Sequence, residues 1–306
     1  MSKRARYSKW INTILPVLVL ALMGAIVYRQ RTQLRAISWH IRPGLIVLTL
    51  LLHSLALAAT FIVWHLMISH LGGFSDLKSN LRVYYVSTLA KRIPTAFWYI
   101  GGRLLMYGDV GVLASQVINC IVLENVLIGI AGVITLLALL PFYSGVAAAR
   151  MLPLGLVAAL GLTALLLRPR VFVDATNWVL RRFDKHEIDV APTRAQIALW
   201  SAIYILPWLF AGGAFYCATH ALIGHVELDL IDAMGISTVS MLVALLSLLL
   251  PAGMGLKELT SSALLARWLP FSAAIAVSLA YRLLQTANEM VWALVATAIS
   301  PSDGQD

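Results

Sequence analysis

The sequence predicts an all-α, polytopic transmembrane helix bundle, a single integral membrane domain over residues 1–306, with two broken segments in pseudo-repeated halves. Three observations carry this. The chain is 60% hydrophobic and 12% charged, with a mean hydropathy of +0.85, whereas a soluble domain carries about 25% charged residues. Its apolar stretches repeatedly reach the roughly 20 residues that cross a hydrocarbon core. Two of them are interrupted by proline, paired glycine and charge: Ser87-Thr88-Leu89-Ala90-Lys91-Arg92-Ile93-Pro94, running on to Trp98, Gly101, Gly102 and Arg103, and Ser247 to Glu258 with Pro251, Gly253 and Gly255. Lipid offers no partner for freed backbone groups, so such breaks persist where protein or a wet cavity surrounds them. Interrupted segments in both halves point to a substrate site.

In order, the first span covers about residues 11–28 and reads as a retained signal anchor, because Tyr28-Arg29-Gln30-Arg31 follows it where a cleavage site would need small residues. The second covers about 44–71, between Pro43 and Gly72-Gly73. A polar patch, 75–82, leads into the first broken segment at about 83–107. Spans at about 110–140 and 152–167 end at Pro141 and at Arg168-Pro169-Arg170. A polar loop of about 170–196 has amphipathic spacing in 173–183, which suits a helix lying along headgroups. A span at about 197–223, the second broken segment at about 231–269 and a last span at about 271–299 complete the chain.

Lys3, Arg4, Arg6 and Lys9, and the cations of the 170–196 loop, place the N-terminus and that loop in the cytoplasm. Arg29, Arg31, Arg35 and Arg42 oppose this assignment. The net charge of +9 is spread over short loops, so it reads as orientation signals and contacts to anionic lipid, not as a nucleic-acid surface. A weak internal repeat places Ser-Thr, Pro, Gly pairs and charge in the same order in both halves. Shared composition of apolar helices produces the same pattern.

Charged residues inside apolar sequence cost about 2.5–3.5 kcal/mol each on insertion scales and usually face a cavity or one another. Here they are Lys91, Arg92, Arg103 and Glu124 in the first half, and Lys257, Glu258, Arg282 and Glu289 in the second. The cations suit a headgroup phosphate, and the carboxylates suit charge balance or a proton relay. Snorkelling to the interface equally suits Lys91, Arg92 and Arg103. Glu124 lies too deep in its apolar run for that. The glycines of 251–258 permit sharp turns. A helix restarting after Gly255 presents free N–H groups to an anion, or Glu258 caps it. Interfacial placement accounts for most of the seven histidines, and Tyr84, Tyr85, Phe97, Trp98, Tyr99 and Tyr107 suit an interfacial belt or a headgroup path. Cys120 and Cys217 read as small buried side chains. No metal-site spacing, nucleotide motif or nucleophile–base set appears, so no cofactor, no metal and no enzymatic activity are expected.

At these residues the chain resembles the flippase-like family typified by the transmembrane region of lysylphosphatidylglycerol synthases. The Lys-Arg-Ile-Pro of 91–94 with Trp98 and Gly101-Gly102-Arg103 is similar to its first signature, and Pro251 with Gly253-Met254-Gly255-Leu256-Lys257-Glu258 to its second. Thr95 stands where the family usually has Gly, and Lys257 where Arg is common. The resemblance covers about residues 10–300 and implies a bundle with two re-entrant halves that moves lipid or lipid-linked sugar. The aminoacyl-transferase domain of the two-part synthases is absent from the sequence, so synthesis of the aminoacyl lipid is not expected of it. The expected function is a flippase or scramblase of an anionic phospholipid or lipid-linked sugar in the cytoplasmic (inner) membrane. Lys91, Arg92, Arg103, Lys257 and Arg282 are the expected binding cations. The alternative is a membrane anchor for a separate lipid-modifying or glycosyltransferase enzyme docked at the 170–196 loop.

Overall fold

The computed structural model describes residues 39–90, 96–142, 159–165, 168–182, 190–247 and 255–299, with residues 25, 28, 29, 31, 32 and 157 besides. Nearly all of the first expected span and much of the 152–167 span lie outside the described residues, as do Lys91, Arg92, Pro94, Pro251 and Gly253.

The described elements are all helical: α1 (Pro43–Leu71), α2 (Leu77–Ala90), α3 (Ala96–Asp109), α4 (Ala114–Leu139, continued by a 3-10 turn, Leu140–Phe142), α5 (Arg170–Arg181), α6 (Arg194–Leu222), α7 (Leu230–Ser247), α8 (Leu256–Leu265) and α9 (Phe271–Ile299). α1, α4 with its turn, and α6 are each 29 residues and apolar enough to cross a membrane; at 1.5 Å per residue each is about 43 Å long. α9 has the same 29 residues, yet it buries Gln285, Asn288 and Glu289.

Local chemistry sets the helix ends. Pro43 opens α1, where its missing N–H would be an orphan anyway. Asp76 accepts the Ser79 amide at 2.7 Å at the entry of α2, and hydrogen bonds from Ser79 hold its carboxyl below the usual carboxylate range. A reciprocal Thr193–Gln196 capping box opens α6, which runs on through Pro207. α6 packs antiparallel to α1: His40 N donates to Leu222 O at one end, and Tyr204 Oη reaches Met67 Sδ at 3.8 Å toward the other.

Four shorter helices, α2 with α3 and α7 with α8, form two hairpins. In the first, Tyr107 Oη donates to Asn80 Oδ1 at 2.7 Å and Arg103 Nε to Ser87 Oγ at 3.0 Å. Pairing residue 80 with 107 and 87 with 103 makes α2 and α3 antiparallel neighbours. This hairpin opens near the C-terminal end of α1, where Trp64 Nε1 donates to Tyr107 Oη at 2.7 Å. In the second, Ile236 and Leu265 share one buried cluster, and Ser240 and Ser261 line one pocket, so α7 and α8 are antiparallel too. It opens at the other end of the bundle, where α6 ends beside the start of α1. The described parts of these arms have 14, 14, 18 and 10 residues, or about 21, 21, 27 and 15 Å.

Two expectations are corrected here. Gly101 and Gly102 do not break the backbone; they lie inside α3. Two helical glycines cost only about 1 kcal/mol each, and no atom lies within 4 Å of where either Cβ would sit. Most of the polar patch of 75–82 forms the first turns of α2, so the first broken segment begins earlier than about 83, with Asn80 buried against His65 and Tyr107. Gly255, by contrast, takes φ +94° immediately before α8, a turn that favours glycine.

Close helix contacts use missing side chains, as expected where packing rather than water exclusion drives association. A Cβ at Gly132 would enter the Trp208 indole, and one at Gly212 would come within 2.5 Å of Met234 Cγ. Gly132→Ala is expected to lower stability by about 1–3 kcal/mol, read as an earlier thermal transition in detergent by fluorescence-detected gel filtration, with Gly101→Ala unchanged or slightly stabilised as the control.

Candidate functional site

The first half buries a complete ion pair. Arg103 is 0% exposed and Glu124 is 4%. Arg103 Nη1 donates to Glu124 Oε2 at 2.6 Å, and Tyr99 Oη donates to the same oxygen at 2.7 Å. The guanidinium carbon lies 3.7 Å from the Trp64 ring centre, 4.5 Å from Tyr99 and 4.9 Å from Tyr84. Three aromatic faces and one carboxylate thus replace the water that a cation gives up on burial. The pair ties α3 to α4, and Trp64 brings in α1.

The second half has a shallow pocket instead, about 270 Å³ counting its open mouth. α8 supplies Lys257, Glu258 and Ser261, and α9 supplies Ser278, Tyr281, Arg282 and Gln285. Ser237 and Ser240 of α7 and Phe215 of α6 close it. Arg282 Nη1 pairs with Glu258 Oε1 at 3.1 Å, Lys257 Nζ donates to Gln285 Oε1 at 2.8 Å, and Ser261 Oγ donates to Ser278 Oγ at 2.9 Å. Glu258 sits in the first turn of α8, where the helix dipole also favours its charge. Two cations face one carboxylate, so the lining carries an excess positive charge.

The expected charged residues therefore divide. Lys257, Glu258 and Arg282 meet in the pocket; Arg103 and Glu124 form the separate buried pair. Glu289 Oε1 lies 3.9 Å from His53 Nε2 of α1. In both halves an ion pair links the second hairpin arm to the following long helix, with the signs exchanged: cation on α3 and acid on α4, then acid on α8 and cation on α9.

The aromatic cluster is not a belt. Tyr84, Tyr85, Tyr99 and Tyr107 are buried in the main core: Tyr84 and Tyr99 face the Arg103 guanidinium, Tyr85 stacks on Trp292, and Tyr107 bonds to Trp64 and Asn80; the side chains of Phe97 and Trp98 lie outside those described. His53 is likewise buried rather than interfacial. Cys120 and Cys217 are buried free thiols, as read from sequence. Trp64, Gln285 and Tyr281 escaped the sequence reading. For Gln285 a signal existed: Arg282, Gln285 and Glu289 stand at i, i+3 and i+7, one face of a helix.

Helices of membrane-crossing length around deeply placed charge define a multi-pass membrane protein. Within that class the chain belongs to the family described as Lysylphosphatidylglycerol synthase TM region, whose model matches residues 13–292. No curated protein matches it.

Proposed function

We propose that this protein moves an anionic phospholipid or lipid-linked sugar across the cytoplasmic (inner) membrane, as a flippase or scramblase with its N-terminus in the cytoplasm. The observation that carries this reading is the pocket of Lys257, Arg282 and Glu258. It sets an excess of positive charge and several hydroxyls within an apolar bundle, where charge without a task is costly. Lysine acts there as a point charge and arginine as a planar donor for a phosphate. The two hairpins, opening at opposite ends of the bundle, act as re-entrant halves around the path. Serines and Gln285 receive headgroup hydroxyls, and the acyl tails stay in lipid.

Fluorescent phosphatidylglycerol and phosphatidylcholine in proteoliposomes test this. The expected result is movement of the anionic lipid above empty vesicles and ahead of the zwitterionic one. If neither these lipids nor a lipid-linked sugar moves faster than in empty vesicles, the transport reading is lost. The anchor reading draws on α5, where Trp178 is 58% exposed and Arg182 lies 4.9 Å from its ring. A stable enzyme that co-purifies with the chain, and is lost on deleting residues 170–182, would favour it.

A further inference from the structure

A polar cluster between α1 and α9 lies outside both sites above. Asn288 Nδ2 lies 3.3 Å from Leu50 O, 3.0 Å from Ser54 Oγ and 3.1 Å from His53 Nδ1. The Leu50 carbonyl can only accept, so the amide nitrogen lies toward it, and Ser54 Oγ donates to Asn288 Oδ1 at 3.4 Å. Where one of the two Nδ2 hydrogens goes to His53, Nδ1 accepts it, and the neutral ring's proton then sits on Nε2, turned toward Glu289 Oε1 at 3.9 Å. Trp292 Nε1 donates to Ser54 Oγ at 2.8 Å, and its ring stacks on Tyr85 of α2 at 5.8 Å. His53 and Glu289 are each 6% exposed.

A proton added at Nδ1 would turn this acceptor into a donor facing an amide N–H. Asn288 would have to rotate, releasing Leu50 O, and His53 would become the cation that Glu289 faces. The same helix carries Gln285 and Arg282 in the pocket, one and two turns back, and Trp292 against the first hairpin. On the elements packed against α9, the other ionisable groups among the described residues include Lys78, Arg82, Tyr84 and Tyr85 on α2, His65 and His70 on α1, Tyr204 and Tyr216 on α6, and Lys257 and Glu258 on α8, where Lys257 donates to Gln285 and Glu258 pairs with Arg282. α6 carries Arg194 and His220 only at its ends. Lys91 and Arg92, next along the chain after α2, lie outside the described residues.

We propose that His53 and Glu289 form a proton-binding pair whose occupancy sets how α9 docks on α1, so that a proton is the coupling ligand of the pocket. The proton site stands by itself; the coupling rests on the lipid-transport reading.

The first test uses the solubilised full chain without lipid transport. Tryptophan fluorescence is titrated over about pH 4.5–8.5, the range in which histidine titrates. Wild type is expected to show a transition that Trp292→Phe, His53→Gln and Glu289→Gln each remove. A flat wild-type curve, or a transition kept by both His53→Gln and Glu289→Gln, overturns the proton site. In proteoliposomes, a pH gradient is expected to change the wild-type lipid rate by at least about fivefold and to leave Glu289→Gln unaffected. Equal gradient dependence in both overturns the coupling. A fluorescence transition in a protein that moves no lipid at all rejects the transport reading and keeps the proton site.

Discussion

Arg103→Ala is expected to destabilise the folded protein by about 3–5 kcal/mol, the cost of stranding one partner of a buried ion pair. Glu124 would keep the Tyr99 hydroxyl but lose its cation, and Trp64 would lose a partner against its face. Glu124→Gln is expected to cost less than Arg103→Ala, because a neutral amide is cheaper to bury than an unpaired charge. The decisive comparison is the double variant Arg103→Met with Glu124→Gln. Replacing both charges by groups of similar volume often leaves stability unchanged or raises it, so the double variant should recover most of what Arg103→Met alone loses. Detergent unfolding curves of the four proteins form the cycle. Additive losses would mean that the two side chains stabilise the helices independently and that the pair is not the clamp between α3 and α4.

Lys257→Gln is expected to slow movement of the anionic lipid by about 10- to 100-fold, the equivalent of one charge-assisted hydrogen bond of about 1.5–3 kcal/mol. It should leave the zwitterionic background and thermal stability close to wild type, since Lys257 is only partly buried. Arg282→Gln should cost at least as much, because it also leaves Glu258 without the partner at 3.1 Å. Lys257→Arg should keep most of the rate, since the lysine acts here as a point charge. Initial rates in proteoliposomes at low and high salt check this. Equal rates for wild type and both glutamine variants would remove the pocket from the path.

How much was legible differs by element. The spans of α1, α4 and α6 were readable because an apolar run of sufficient length has one outcome in lipid. The restart at Leu256 was readable from the glycine before it. The misplaced break at Gly101-Gly102 shows the limit, because glycine permits a turn without requiring one. The pairing of Arg103 with Glu124 was not legible: the two are 21 positions apart, and only the α3–α4 contact brings them together. The buried tyrosines were misread as a belt for the same reason, since a sequence cannot say that a cation will occupy their centre.

By itself, then, the sequence determined that the chain is helical and membrane-embedded, and which charged residues lie within its apolar stretches. Those follow from local rules: length against bilayer thickness, backbone satisfaction and the cost of burying charge. The tertiary structure decided which charge meets which. It sealed Arg103 and Glu124 among aromatic rings, left Lys257, Glu258 and Arg282 around an open pocket, and set Glu289 beside a histidine 236 positions earlier in the chain. These outcomes depend on how hairpins and long helices pack, and a side chain's partner is fixed by that packing rather than by its own neighbours in sequence.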